Sequence, residues 1–237
     1  MKKFQSKNNL IQEPEEERFQ YQIVDSKIRP NYSFKLVLTG EAGVGKSSII
    51  NRRLKANYST SYEPTVCFEH FWQNYKINDL IVRIQIWDTC GQELYHSLIK
   101  NFYRSSLVAF VVFSLNDLNS FEKLSAWLKE IKELGNADMI IYLIGNKKDT
   151  ERKVPDSLIE NLKKENGIKY YIETSAKTGE NIDTLFEETL KILYEGFVLP
   201  IVNDKNTEHS SSFYRERDLI DLENPRNKLN CRECLCC

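Results

Sequence analysis

Residues Gly40-Glu41-Ala42-Gly43-Val44-Gly45-Lys46-Ser47 fit the pattern G-x-x-x-x-G-K-[ST]. Their types suit a phosphorylated anion. Glycines let the backbone curl until successive N–H groups face one cluster of oxygens. A helix that starts here adds partial positive charge at its N-terminus. Lys46 brings a mobile cation to the outer phosphates of a nucleotide, and the Ser47 hydroxyl is a hard oxygen donor for magnesium. The plain alternative is a glycine-rich turn before an ordinary helix. An apolar run before the motif and a helical pattern after it favour the phosphate loop.

Further segments could complete a site. Asp88-Thr89-Cys90-Gly91-Gln92-Glu93 follows an apolar run. An aspartate at a strand's C-terminal end can hold a magnesium-bound water near phosphates, the Gly91 N–H can approach a γ-phosphate, and Gln92 can orient an attacking water. Asn146-Lys147-Lys148-Asp149 follows another such run. The Asp149 carboxylate can accept from guanine N1–H and the exocyclic amine. Adenine offers no such donor pair and would leave the carboxylate unpaired, at a cost of roughly 10³-fold in affinity. Asn146 and Lys147 would brace the loops, although in isolation such a segment is more often a charged turn. Ser175-Ala176-Lys177 can close over the base through backbone N–H groups. Thr65, in a Pro-flanked loop, can place a hydroxyl on magnesium when a γ-phosphate is present, and Tyr58 can stack on the base. Taken alone, each is as readily an ordinary loop or surface residue.

Strands and helices must position these groups. Apolar runs predict strands at Phe34–Thr39, Phe68–Tyr75, Ile81–Asp88, Leu107–Ser114, Met139–Gly145 and Tyr170–Thr174. Phe121, Leu124, Leu128 and Ile131 recur at helical spacing behind Ser120 as a candidate N-cap. Ile182, Leu185, Phe186, Leu190 and Leu193 do so behind Asn181, and Pro155 marks a further helix start. Alternation of the two predicts a mainly parallel sheet covered on both faces. Residues 1–33 are polar, with acidic Glu13, Glu15, Glu16 and Glu17, and read as a flexible extension. After Phe197 the pattern fades into a polar tail.

Composition narrows the class. The chain of 237 residues has 41% hydrophobic and 28% charged residues and a net charge of -1, so a core is affordable and nucleic acid is not the expected partner. The runs Leu107 to Phe113 and Met139 to Ile144 are far short of the roughly 20 residues of a membrane span. The N-terminus has no signal-peptide core and no glycine after Met1. Of six cysteines, Cys231, Cys234, Cys236 and Cys237 crowd together, which is not the spread of a disulfide framework. Zinc binding there is cramped, and unstructured thiols are the other bland reading. His70, His96 and His209 show no ligand or triad spacing.

Together these motifs resemble the Ras-like small GTPases over about Phe34 to Glu195. The resemblance rests on Gly40–Ser47, Thr65, Trp87–Glu93, Asn146–Asp149 and Glu173–Lys177 in family order. It implies an α/β P-loop NTPase three-layer sandwich, with a six-stranded mostly parallel sheet and about five helices. The GTPase domain would span 34–196 and a hypervariable tail 197–237. Expected nucleotide contacts are Ala42, Gly43, Val44, Gly45, Lys46, Ser47, Ser48, Tyr58, Thr65, Asp88, Gly91, Asn146, Lys147, Asp149, Ser175, Ala176 and Lys177. Magnesium would sit on Ser47, Thr65 and Asp88, with Gln92 and Lys46 catalytic. Two switch segments are implied, near Tyr58–Phe68 and Cys90–Arg104.

Trp87-Asp88-Thr89, Phe102-Tyr103-Arg104, Glu173–Lys177 and the Cys236-Cys237 pair are most similar to the Rab branch. That branch implies prenylation on Cys236 and Cys237, and exchange-factor, GTPase-activating and effector partners. It also implies a monomer cycling between cytosol and the cytoplasmic face of an intracellular membrane in vesicle transport. Residues 197–237 hold six Lys/Arg against seven Asp/Glu, so attachment would depend on lipid, and two chains anchor where one is marginal. Pro64-Thr65-Val66 looks more like the Rho branch, and Cys67 stands where Rab proteins have glycine. The span from Asp149 to Ser175 leaves no room for the Rho helical insert. Ala42 occupies a position where side-chain size affects assisted hydrolysis. The alternatives are a GTP-binding interaction module with little turnover and a Rho-like signalling GTPase.

Overall fold

The computed structural model describes residues 19–55, 69–89 and 102–203. Its centre is a sheet of seven strands: β1 Gln22–Val24, β2 Tyr32–Thr39, β3 Glu69–Ile77, β4 Leu80–Asp88, β5 Val108–Ser114, β6 Ile140–Asn146 and β7 Tyr170–Glu173. Their order is β1-β3-β4-β2-β5-β6-β7. β4, β2, β5, β6 and β7 run parallel, while β3 pairs antiparallel with both β4 and β1.

The central strands are apolar on both faces because both are covered. Every residue of β5 is buried. Alternate residues then feed two cores. Leu36, Leu38, Phe110 and Val112 pack with Ile49 and Ile50 of α1 (Lys46–Lys55) and with Leu185, Phe186 and Leu190 of α5 (Ile182–Leu193). Val37, Val111 and Phe113 pack on the other side. Their partners there come from α2 (Leu118–Glu122), α3 (Leu124–Leu134) and α4 (Asp156–Asn166). This is the expected α/β three-layer arrangement.

Three details depart from the sequence expectation. The sheet has seven strands, not six, because β1 lies inside residues 1–33 and pairs with Asn74–Lys76. Around it, Phe19 meets Tyr21 and Tyr194, and Tyr21 meets Tyr75 edge-on. The Asn74 amide donates to the carbonyls of Asp25 and Ile28, and Arg83 donates to Ser26 and Ile28. Residues 19–33 are therefore built onto the sheet.

The second departure is at Ser120, which is not a cap. Asp117 caps α2 by accepting from the Asn119 N–H, and α3 begins afresh after Lys123. The buried Ser120 hydroxyl instead accepts from the Ser114 N–H and donates to Asp117 O, tying α2 to the end of β5. Third, helical backbone continues past Phe197. A π-helical turn at Tyr194–Val198 leads into α6 (Leu199–Asn203), and Val198 is fully buried. At that end Asn78, in the β3–β4 turn, donates to the Tyr194 hydroxyl.

Candidate functional site

The parallel strands deliver their carboxyl ends to one rim, and the chain crosses from one side of the sheet to the other next to β2. Ligands in open α/β sheets bind at such a crossing. The loop after β2 is the G-x-x-x-x-G-K-S segment. Gly40 has φ +133, and a Cβ there would meet the Val112 carbonyl oxygen at 2.1 Å. Gly45 has φ +99, and a Cβ there would meet the Asn146 amide nitrogen at 2.3 Å. Only glycine allows both close approaches. Ala42 and Gly43 are exposed at the loop's tip, and Val44 is buried beneath them.

Lys46 opens α1 and is 5% exposed. Its ammonium donates to the carbonyls of Gly40 and Glu41, each at 2.8 Å. The cation is thus drawn back over the loop. Ser47 and Ser48 follow in the first turn, where helix N–H groups and the dipole favour an anion.

Asp88 ends β4 and is fully buried. Burial pushes its carboxyl up to about 6; Ser47 and Lys46 beside it pull the other way, and Glu69 adds to the rise. Neither carboxylate oxygen completes a hydrogen bond of good geometry, although Ser47 is near enough to favour the charged form. A buried carboxylate beside a serine hydroxyl is a donor set that suits a hard divalent cation, which usually takes one or two carboxylates plus phosphate oxygens. Among the described residues no three His, Cys, Asp or Glu side chains cluster as a metal cage. The residues present fit magnesium shared with a phosphate.

The other half of the rim is built around Asn146, at the end of β6 and 1% exposed. Its amide donates to the Val44 carbonyl at 2.9 Å. Its oxygen accepts from the Thr174 hydroxyl at 3.2 Å and the Ala176 N–H at 3.3 Å. One side chain therefore joins the phosphate loop to the loop after β7. Lys147 takes the left-handed conformation, φ +65, which turns the chain at this point. Asp149 accepts from the Ser175 hydroxyl at 2.6 Å, and its other oxygen lies 3.9 Å from the Lys177 ammonium. The Ser175 hydroxyl also accepts from the Thr178 N–H, and Lys148 pairs with Glu180 at 2.6 Å.

The structure thus gathers Ala42–Ser48, Asp88, Asn146, Lys147, Asp149 and Ser175–Lys177 along one rim. Tyr58, Thr65, Gly91, Gln92, Cys236 and Cys237 lie outside the described residues. Sequence reasoning missed Thr174, which steadies Asn146, and Arg52, which donates to the Thr178 carbonyl from α1. It also missed the partners of Glu41: Lys123 at 2.9 Å and the Trp127 indole N–H at 3.3 Å. The one available signal was an acidic residue inside a phosphate loop, which demands a counter-charge.

A sequence model described as the Ras family matches residues 35–195. Ras-related protein Rab-5A of Dictyostelium discoideum is 40% identical over 164 residues, covering 68% of this chain and 81% of that protein. Ras-related protein Rab5A of Oryza sativa subsp. japonica is 40% identical over 164 residues, covering 68% and 80%. Ras-related protein RABF2a of Arabidopsis thaliana is 40% identical over 165 residues, covering 69% and 82%.

Proposed function

This chain belongs to the Ras family, and from that premise we propose how its own residues run the switch. It is a Rab-like small GTPase: it binds guanine nucleotide, hydrolyses GTP and works through regulator and effector proteins. The observation that carries the residue assignment is the Asn146 side chain, which bonds the phosphate loop at Val44 and the base-side loop at Ala176. That link supports the reading in which Lys46 and Asp149 grip opposite ends of one nucleotide.

In this reading the loop N–H groups of 42–48 and the Lys46 ammonium hold the β- and γ-phosphates. Ser47 and Asp88 would hold magnesium, with Thr65 joining when GTP is present, and the ion would supply charge neutralisation for the phosphates. Asp149 reads guanine, with Ser175 fixing its carboxylate and Ala176 and Lys177 covering the base. Gln92 orients a water for in-line attack on the γ-phosphorus. The new bond is from water oxygen to phosphorus, the β–γ bridging bond breaks, and GDP and inorganic phosphate leave. Intrinsic turnover is slow, and an activating protein raises it about 10³–10⁵-fold.

The chain acts as a monomer on the cytoplasmic face of an intracellular membrane during vesicle transport. It is held by prenyl groups on Cys236 and Cys237 and cycles through the cytosol. The near-neutral tail supports this, since it offers no polybasic patch to replace lipid. The domain spans 34–196 with 197–237 as its tail, and β1 adds an edge strand from upstream.

A single-turnover assay tests the chemistry. Purified protein with magnesium releases phosphate from GTP, and Gln92→Leu keeps GTP bound while release slows. Equal release by the two proteins would remove Gln92 from its role. Mass spectrometry of the C-terminal peptide from native cells tests the lipid, and an unmodified peptide would remove that part.

A further inference from the structure

We infer that Glu41 is a positioning residue for nucleotide binding, tying the phosphate loop to α3 through its carboxylate while its carbonyl holds the Lys46 ammonium. The inference rests on reading 40–47 as the phosphate loop.

A carboxylate in a loop that must hold a polyanion is unfavourable unless its charge is countered and turned aside. Both conditions hold here. One Glu41 oxygen pairs with the Lys123 ammonium at 2.9 Å, and the other lies 3.3 Å from the Trp127 indole N–H. The Glu41 side chain is only 19% exposed, so this is a partly desolvated, charge-assisted pair rather than a loose surface one. Trp127 is buried in the core between α3 and the sheet, so its N–H is a fixed donor. Lys123 sits at the junction of α2 and α3.

The same residue's carbonyl accepts from Lys46 at 2.8 Å, beside the Gly40 carbonyl. Glu41 is therefore engaged at both ends, by the helical layer through its side chain and by the loop's cation through its backbone. Other anchors of the loop lie at Gly40, packed against Val112, and at Val44, bonded to Asn146. Neither acts on the Glu41 carboxylate, whose tie bears on the peptide that follows it. With the carboxylate tie cut, that peptide can rotate and carry the Lys46 ammonium with it. Loss of Lys123 would instead leave a half-buried carboxylate facing the phosphates with a weaker counter-charge.

Dissociation of a fluorescent GDP analogue from the full chain, with magnesium present, tests this. Glu41→Ala should release it about tenfold faster, the loss expected from one charge-assisted hydrogen bond. Lys123→Met and Trp127→Phe should each release it several-fold faster. The Glu41→Ala, Lys123→Met double variant should release it no faster than the quicker single, because both cut one tie. Melting temperature of the nucleotide-free chain should stay near that of the natural chain, a result a general packing defect would not give. Lys123 is half-exposed, so its variant keeps the test alive if Trp127→Phe does not fold. Unchanged or slower release by Glu41→Ala, or additive effects in the double variant, would overturn the inference alone. A natural chain that retained no GDP would overturn the nucleotide reading and this inference with it.

Discussion

The two halves of the nucleotide rim are finished to different degrees. On the base side the named polar groups answer one another: Asn146 bonds Val44, Thr174 and Ala176, and Asp149 is held by Ser175. On the phosphate side the Asp88 carboxylate is buried, raised to about 6, and completes no hydrogen bond of good geometry. In the proposed reading the base side is a template already bonded within itself. In the same reading the phosphate side concentrates an electrostatic demand that a cation would relieve, which would couple metal to stability there and not at the base.

Variants on each side can break that distinction. The largest effect should come from Lys46→Ala, which removes charge-assisted bonds to two phosphates. GTP affinity should fall about 10⁴-fold by equilibrium titration, and near-natural affinity would take Lys46 out of the site. Asp149→Ala should cut the preference for GTP over ATP by about 10³-fold in a competition assay. Its magnesium dependence should match the natural chain; a changed dependence would show that the halves are not separable.

Asp88→Asn should do the reverse. It leaves base preference alone and removes the magnesium-dependent part of the unfolding midpoint. In chelator it should stabilise the fold by about 2 kcal/mol at neutral pH, because a carboxyl raised from 3.8 to about 6 is held charged against its preference. A loss of stability in chelator would mean that Asp88 is already well partnered.

The smallest effect concerns acid. Burial, with Lys35 and Arg83 nearby, lowers His70 from 6.5 to about 4. The unfolded chain binds a proton below 6.5 that the folded chain refuses until about 4, so stability is lost as pH falls through that window. Asp88 works in the opposite sense, because between about 6 and 3.8 the folded chain binds the extra proton. His70→Phe should remove a loss of about 1 kcal/mol between pH 7 and pH 5 in denaturant titrations, discounted for partial exposure. An unchanged pH profile would assign the acid sensitivity elsewhere.

The phosphate loop, Asp88, Asn146, Asp149 and Ser175–Lys177 were legible because each motif is short and its chemistry demands fixed spacing. The strands of the parallel sheet were legible as apolar runs because both of its faces are covered. β1 was not legible: three residues give no periodicity, and its hold comes from Phe19, Tyr21, Asn74 and Arg83 rather than from its own pattern. Ser120 was misread because a hydroxyl before an apolar run also suits a buried bond to a strand end. The Glu41 tie spans 82 and 86 positions along the chain, a separation no local pattern encodes.

Phe19 rests on Tyr194, and Tyr194 accepts from Asn78 at the far end of the β3–β4 hairpin. Asp88 lies at the other end of β4, about 25 Å away along the strand. The first described residue and the helix that closes the domain therefore meet behind the body, like a knot at the back of a lantern. An attachment made at that knot would leave the lit side, the rim that carries Asp88, turned away from it.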